Sequence, residues 1–472
     1  MRLTELLTEF LAQSHTNPTP ALPWTPPEKL VPQARAFLDR APLSGEVAQS
    51  FGTLAQKYLA NVNRLHSPHY MGHQVPPPIP VAGLFDALGS VSNQGGAVFE
   101  MGPFSSSVER AVIEKLGGYF NWPKDQFDGI ATHGGSLANL TGVLAARNVR
   151  YPEAWEKGMV HATRGKTACL ITSADSHYSV ARSAGVLGVG TQHVLKAELG
   201  PQRRIDPVKL ELQIQRAELE GKEIFALVGS ACTTATGSFD NLEAMADLCR
   251  RYGIWFHVDG AHGASFLMSD RYRYRVKGIE QADTVVWDAH KMLFLPALLT
   301  FLFYKNKAHS YQTFAQDAPY LFDAASPDRA QYDSAVRTIE CTKRAMVLGL
   351  WGVWSTYGPQ LFSDLIDTVM ALTETFHGML KDSADFVALH EPQANILCFR
   401  YLPKRLNDAS PETISLFQQT IRLKLIESGR FYITGTKLDG VAALRVTLIN
   451  PLTETSHLAE LLVAIRELGD TL

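Results

Sequence analysis

The chain has 472 residues, 46% hydrophobic and 19% charged, and 44 Lys and Arg against 47 Asp and Glu give a formal net charge of −3. That is an ordinary globular composition, long enough for two or three domains, and its balanced charge speaks against nucleic acid or an acidic membrane surface as partner. The five cysteines (169, 232, 249, 341 and 398) are odd in number and scattered, without paired or metal-type spacing, and read as reduced thiols of a cytoplasmic protein.

Taken in order, Met1 to Leu11 is amphipathic and carries acids, unlike a signal peptide. No apolar run approaches the roughly 20 residues of a membrane helix. Residues 1 to about 85 are helical in pattern but broken by proline. Pro18, Pro20, Pro23, Pro26 and Pro27 read as a linker, and Pro76 to Pro80 as a second extended stretch. A segment with so little core of its own is expected to wrap over another domain or subunit.

From about residue 125, strands alternate with helices. Strands are expected at Gly129–Thr132, Ala168–Thr172, Ile224–Val228, Trp255–Val258, Thr284–Trp287 and Leu299–Phe303. Their near-continuous apolar character implies a mostly parallel sheet covered on both faces, with ligands beyond the carboxyl ends of the strands. A long helix is expected near Thr342–Trp354. The rest reads as a small α+β domain. It has strands at Asn395–Tyr401, Phe431–Thr434 and Ala442–Ile449, and helices capped by Ser410-Pro411 and running from Glu454 to Leu468.

The chemistry centres on Lys291, in Trp287-Asp-Ala-His-Lys-Met. A lysine between two apolar runs is costly to bury as an ammonium, so its pKa is expected to fall, and a neutral lysine attacks an aldehyde to form a Schiff base. Pyridoxal phosphate needs such a lysine, an acid at its ring nitrogen, a phosphate cup and packing on the ring faces. Asp259, followed by the small residues Gly260 and Ala261, ends one strand. Gly134-Gly-Ser136 stands between a strand and a helix, where a phosphate is favoured. His177 follows another strand and could stack on the ring. Each alone has a bland explanation as a turn or core residue; together they fall beyond strand ends of one sheet. His66, His69 and His73 are interrupted by Pro68 and lack a completing acid or cysteine, so no metal site is expected.

These motifs, with His66-Ser-Pro-His-Tyr, Asp175-Ser-His-Tyr-Ser and Leu444-Arg-Val-Thr-Leu-Ile-Asn-Pro, resemble the group II pyridoxal-phosphate-dependent amino-acid decarboxylases from about His66 to the C-terminus. That family includes aromatic amino acid, glutamate, cysteine sulfinate and diaminobutyrate decarboxylases. The resemblance implies the fold type I (aspartate aminotransferase-like) architecture, a large mostly parallel seven-stranded α/β domain with a small C-terminal α+β domain. It implies an N-terminal segment at 1–85 wrapping the partner of a homodimer, a cofactor domain at 86–355 and a small domain at 356–472.

The resemblance also implies roles. Lys291 would carry the cofactor, with His290, Gly135 and Ser136 at the phosphate and Thr234 nearby. Asp259 would pair with the ring nitrogen, Ala261 pack under the ring and His177 stack over it. Tyr332 matches a mobile-loop proton donor, Arg445 a carboxylate-binding arginine, and His73 falls in the substrate pocket. Two departures stand out: Asp288-Ala289 replaces the usual Asn-Pro, and Cys232 a commoner glycine. The expected reaction is decarboxylation of an amino acid, with a lean to diaminobutyrate or a glutamate-like acid. An aminotransferase, a cysteine desulfurase and an aromatic decarboxylase are the alternatives.

Overall fold

The computed structural model describes residues 3–15, 20–39, 47–314 and 332–472; Pro18 of the expected linker lies outside them. Contacts divide the chain into two compact units, one of Pro78–Asp367 and one of Met1–Pro77 with Thr368–Leu472.

The N-terminal segment forms three helices, α1 (Leu3–His15), α2 (Pro27–Asp39) and α3 (Val47–Leu59). Pro27 opens α2 rather than extending the linker, because the first helical position needs no N–H donor.

In the larger unit, α4 (Pro80–Ser92), α5 (Pro103–Gly117) and α6 (Gly135–Arg150) accompany seven strands. These are β1 (Asp128–Thr132), β2 (Thr167–Ser173), β3 (Val194–Ala197), β4 (Lys222–Ser230), β5 (Trp255–Asp259), β6 (Thr284–Asp288) and β7 (Thr300–Tyr304). They form one sheet in the order β1-β7-β6-β5-β4-β2-β3. All pairs are parallel except those of β7, which runs against both β1 and β6. Strands β1, β5, β6 and β7 are buried at every position, as expected of a sheet covered on both faces. With β7 the lone reversed strand, the carboxyl ends of β1, β2, β4, β5 and β6 share one edge. The helix read near Thr342–Trp354 instead spans Leu348–Tyr357, and a second, Gln360–Lys381, follows it.

The smaller unit is built on an antiparallel sheet, β10-β11-β9-β8, of β8 (Phe386–Ala388), β9 (Ile396–Tyr401), β10 (Thr434–Leu438) and β11 (Val441–Thr447). Ser410 caps the helix Pro411–Ser428 by accepting from the Thr413 N–H. The strand expected at Phe431–Thr434 begins only at Thr434. Before it, the Tyr432 N–H donates to the His69 carbonyl (3.1 Å) and the Tyr432 carbonyl accepts from the Met71 N–H (2.9 Å). The N-terminal segment thus claims that stretch, and Phe431 and Ile433 go into the core with Met71 and Leu444.

Candidate active site

Asp288 closes β6 and is in register with Thr300 of β7, whose hydroxyl donates to its Oδ1 at 2.5 Å. Its Oδ2 lies 2.8 Å from Lys291 Nζ and 3.6 Å from His290 Nε2. Burial works against charge on both Lys291 and Asp288, but their pairing outweighs it. Lys291 is held above the ordinary lysine value, and Asp288, aided by His290 and Thr300, below the ordinary carboxylate value. The expectation of a depressed lysine is therefore corrected: it counted the apolar flanks and gave the carboxylate three residues earlier no part. His290 is fixed on its far side, with Nδ1 2.9 Å from the Leu299 carbonyl oxygen.

Asp259 closes β5, in register with Ser230 of β4 and Val286 of β6. Its Oδ1 accepts from the Ala261 N–H (3.2 Å) and its Oδ2 from Asn139 Nδ2 (3.0 Å). A Cβ on Gly260 would stand 2.7 Å from the Val286 carbonyl oxygen, so the turn needs glycine there. Gly134, at φ 98°, leads into α6 at Gly135, with Ser136 exposed in the first turn. The first N–H groups of a helix have no intrahelical acceptor, and with the helix dipole they suit a phosphate. A Cβ on Gly135 would lie 3.1 Å from Asp288 Oδ1 and 3.5 Å from the Ala261 Cβ, which places the start of α6, Ala261 and Asp288 together.

His177 caps the helix Tyr178–Val186. Burial pushes its imidazole below the ordinary range; Asp259 opposes this and Lys291 reinforces it. The loop after β4 is tied to the same place. Ala231 donates its N–H to the Asp259 carbonyl (2.9 Å) and accepts from the Gly263 N–H (2.7 Å). Cys232 in that loop is buried and close enough to act on Lys291, while Thr234 is exposed.

Lys291, Asp259, His177, His290, Ala261 and Gly135 are thus gathered at one sheet edge. Tyr332 packs on Phe99, with ring centroids 5.5 Å apart, and lines a cleft with Glu109, Arg110 and Arg337. Among the described residues, no hydrogen bond, ion pair or ring contact joins it to Lys291 or Asp259. His73 and Arg445 belong to the smaller unit. Arg445 Nη1 donates to the Gly72 carbonyl (3.3 Å) and to Thr434 Oγ1 (3.1 Å). Burial, then Arg445 and Arg422, push the His73 pKa down. A cleft of about 390 Å³ in this unit is lined by His73, Arg422, Thr434 and Lys437. No His, Cys, Asp or Glu cluster suited to a metal occurs among the described residues, and His69 is engaged by Glu460 at 3.1 Å.

Sequence reading passed over Asn139, Ser179, His257 and Thr284. A usable signal existed for His257, a polar residue inside the apolar strand Trp255-Phe-His-Val: at such a position a buried imidazole must find partners.

A lysine amine, a strand-end carboxylate, a helix N-terminus, an imidazole and a floor of glycine and alanine make up the donor set that pyridoxal phosphate requires, and these residues fit it. A model of the pyridoxal-dependent decarboxylase conserved domain matches residues 36–402. The acidic amino acid decarboxylase GADL1 of Xenopus tropicalis is 32% identical over 378 residues, covering 79% of this chain and 73% of that protein. The crystal structure of mouse CSAD superimposes with a TM-score of 0.90 at 26% identity, covering 100% of this chain and 99% of that one. The glutamate decarboxylase domain of a Vibrio parahaemolyticus diaminobutyrate-pyruvate transaminase and L-2,4-diaminobutyrate decarboxylase shares the fold, with a TM-score of 0.85 at 24% identity over 100% of this chain and 95% of that one. The chain belongs to the pyridoxal-dependent decarboxylase family and is a pyridoxal-phosphate-dependent carboxy-lyase.

Proposed function

We propose that the enzyme converts an acidic L-amino acid to its amine and carbon dioxide. The observation that carries this reading is the likeness, at 32% identity over 79% of this chain, to an acidic amino acid decarboxylase. Within the smaller unit, Arg422 and Lys437 line one cleft with His73.

Pyridoxal phosphate, when bound, supplies the sink for the electron pair left on Cα as carbon dioxide departs. Lys291 would provide the amine that holds the cofactor, and Asp288 stands within ion-pair distance of that amine to balance its charge as an ammonium. Asp259 keeps a proton on the ring nitrogen, and Asn139 and the Ala261 N–H hold its carboxylate in place. The first turn of α6, at Gly135 and Ser136, takes the phosphate with His290, and Thr234 stands nearby. Ala261 and His177 would hold the ring by its faces. Tyr332 returns a proton to Cα. Arg445 takes a carboxylate, a task suited to the guanidinium fork.

The same reading makes the enzyme a cytoplasmic homodimer, with residues 1–85 wrapped around the partner. Helices α2 and α3 support it: neither buries a side chain within the chain, and Leu38, Val47 and Tyr58 are exposed.

The test is carbon dioxide release and product mass from cofactor-loaded protein. The panel is aspartate, glutamate, cysteine sulfinate, diaminobutyrate, ornithine, lysine, tyrosine and tryptophan, with Lys291→Ala as blank. An amine from one of the first three, absent from the blank, is expected. Turnover confined to the basic or aromatic substrates would overturn the acidic assignment, and a keto acid or sulfide without carbon dioxide would overturn decarboxylation.

A further inference from the structure

Behind Asp259 lies a buried hydrogen-bonded chain that the reaction scheme above leaves unused. Trp255 Nε1 is 3.0 Å from Thr284 Oγ1, which is 2.8 Å from His257 Nδ1. His257 Nε2 is 2.9 Å from Asn139 Oδ1. The Asn139 amide nitrogen is 3.0 Å from both Asp259 Oδ2 and Ser179 Oγ, and that hydroxyl is 2.7 Å from His177 Nδ1. Trp255, Thr284, His257, Asn139, Ser179 and Asp259 are all buried. The chain therefore runs from β5 and β6 through α6 to the cap of the helix Tyr178–Val186, ending at two residues that would face the cofactor.

Its polarity follows from groups that can act in one sense only. A carboxylate only accepts, so Asp259 requires the NH₂ end of Asn139 to face it and turns Asn139 Oδ1 toward His257 Nε2. That oxygen also only accepts, so His257 carries its hydrogen on Nε2, and its bare Nδ1 accepts from the Thr284 hydroxyl. The Thr284 oxygen in turn accepts from Trp255, whose indole N–H can only donate. The same NH₂ donates to Ser179 Oγ, whose hydroxyl hydrogen is left for His177 Nδ1. The Ser179 backbone N–H, a third group that can only donate, also points at that nitrogen from 3.3 Å. Nδ1 of His177 is thus an acceptor from two directions. Burial that drives His257 down to about 4 keeps its ring neutral, as the chain requires.

We infer that Asn139 and His257 are positioning residues: they orient the Asp259 carboxylate and, through Ser179, fix His177 as the neutral tautomer with its proton on Nε2. His177 then presents an N–H donor to whatever lies beyond its ring, and gains no second proton at Nδ1 without breaking two hydrogen bonds. Within the proposed reaction this makes His177 a donor to the substrate carboxylate and leaves the delivery of a proton to Cα to another group. The role of the ring rests on the proposed function; its tautomer does not, and can be measured without cofactor or substrate.

The test is proton-coupled nitrogen NMR on cofactor-free protein labelled at the histidine rings with ¹⁵N, His177→Gln and His257→Gln assigning the signals. Both rings are expected neutral, with hydrogen on Nε2 and none on Nδ1. A His177 ring protonated on Nδ1, or on both nitrogens, near neutral pH overturns the inference. Binding of pyridoxal phosphate and the absorption spectrum of the bound cofactor give a second readout. Glutamine at 257 offers one donor and one acceptor and is expected to keep both near wild type. His257→Leu, which offers neither, is expected to weaken cofactor binding about tenfold or more, the scale of leaving the buried Asn139 carbonyl oxygen unsatisfied. Equal damage from glutamine and leucine would reduce His257 to a packing role and overturn its part. Should the leucine variant not fold, Thr284→Val tests the chain without altering that residue: Asn139, pinned by Asp259, is expected to keep the His257 hydrogen on Nε2, and a shift to Nδ1 or to both tautomers counts against the chain.

Discussion

Asp288 Oδ2 stands 2.8 Å from Lys291 Nζ, and the Thr300 hydroxyl holds the other carboxylate oxygen at 2.5 Å. The amine lies three positions after the acid, so the end of β6 delivers the lysine together with its own counterion. The pair keeps Lys291 charged in the cofactor-free protein, and an ammonium must lose a proton before it can attack an aldehyde. In Asp288→Asn the ammonium loses its partner and desolvation dominates. The pH at which cofactor-free protein captures pyridoxal phosphate at half its maximal rate is expected to fall by about one unit or more, within the usual effect of an opposite charge at this distance. Absorbance-monitored reconstitution across pH checks this, and an unmoved midpoint would remove Asp288 from control of the lysine.

His257 gives the cofactor-free fold an acid sensitivity of calculable sign. Its pKa is about 4 in the folded chain, lowered by burial against the pull of Asp259, and about 6.5 when unfolded. Between those values the unfolded state binds the extra proton. The stability this group contributes is therefore complete above about pH 6.5 and is lost as pH falls toward 4, by about 3 kcal/mol at most. Denaturant melts of wild type and His257→Gln at pH 7.5 and pH 5 measure it. The wild type is expected to lose more stability than the variant, and equal losses would contradict this account.

Gly142 makes room for that imidazole. A Cβ there would meet His257 Cε1 at 2.5 Å and Nδ1 at 2.7 Å. Alanine for glycine within a helix ordinarily stabilises by about 1 kcal/mol, but overpacking a filled interior costs about 1–3 kcal/mol, and His257 is held by hydrogen bonds at both nitrogens. Gly142→Ala is therefore expected to lower the melting temperature; a rise would show that the ring can yield.

Asp259→Asn keeps the size of the side chain and removes its charge. With the ring nitrogen no longer paired with an anion, kcat is expected to drop about 100-fold or more, the scale of losing one preorganised electrostatic partner. Lys291 remains available, so the covalent attachment of pyridoxal phosphate should survive. Turnover measured beside the visible spectrum separates the two effects, and wild-type turnover would dismiss the proposed role of Asp259.

Much of the architecture is legible along the chain because it depends on neighbours in sequence. Uninterrupted apolar strands reveal a sheet buried on both faces. Ser410 announces the helix it caps. Lys291 and Asp259 can be picked out because each directly follows or ends such a strand. Register and pairing between distant segments decide the rest. Asp288 meets Thr300 only through the antiparallel pairing of β6 and β7, and that hydroxyl helps keep charged the carboxylate that raises the Lys291 pKa. Asn139 reaches Asp259 across 120 residues, and Tyr432 is claimed by His69 and Met71 from the far end of the chain. Local pattern records which residues are to be buried and where strands end. Which buried polar groups satisfy one another, and so which proton rests on which atom, depends on contacts that exist only once the sheet and α6 have assembled.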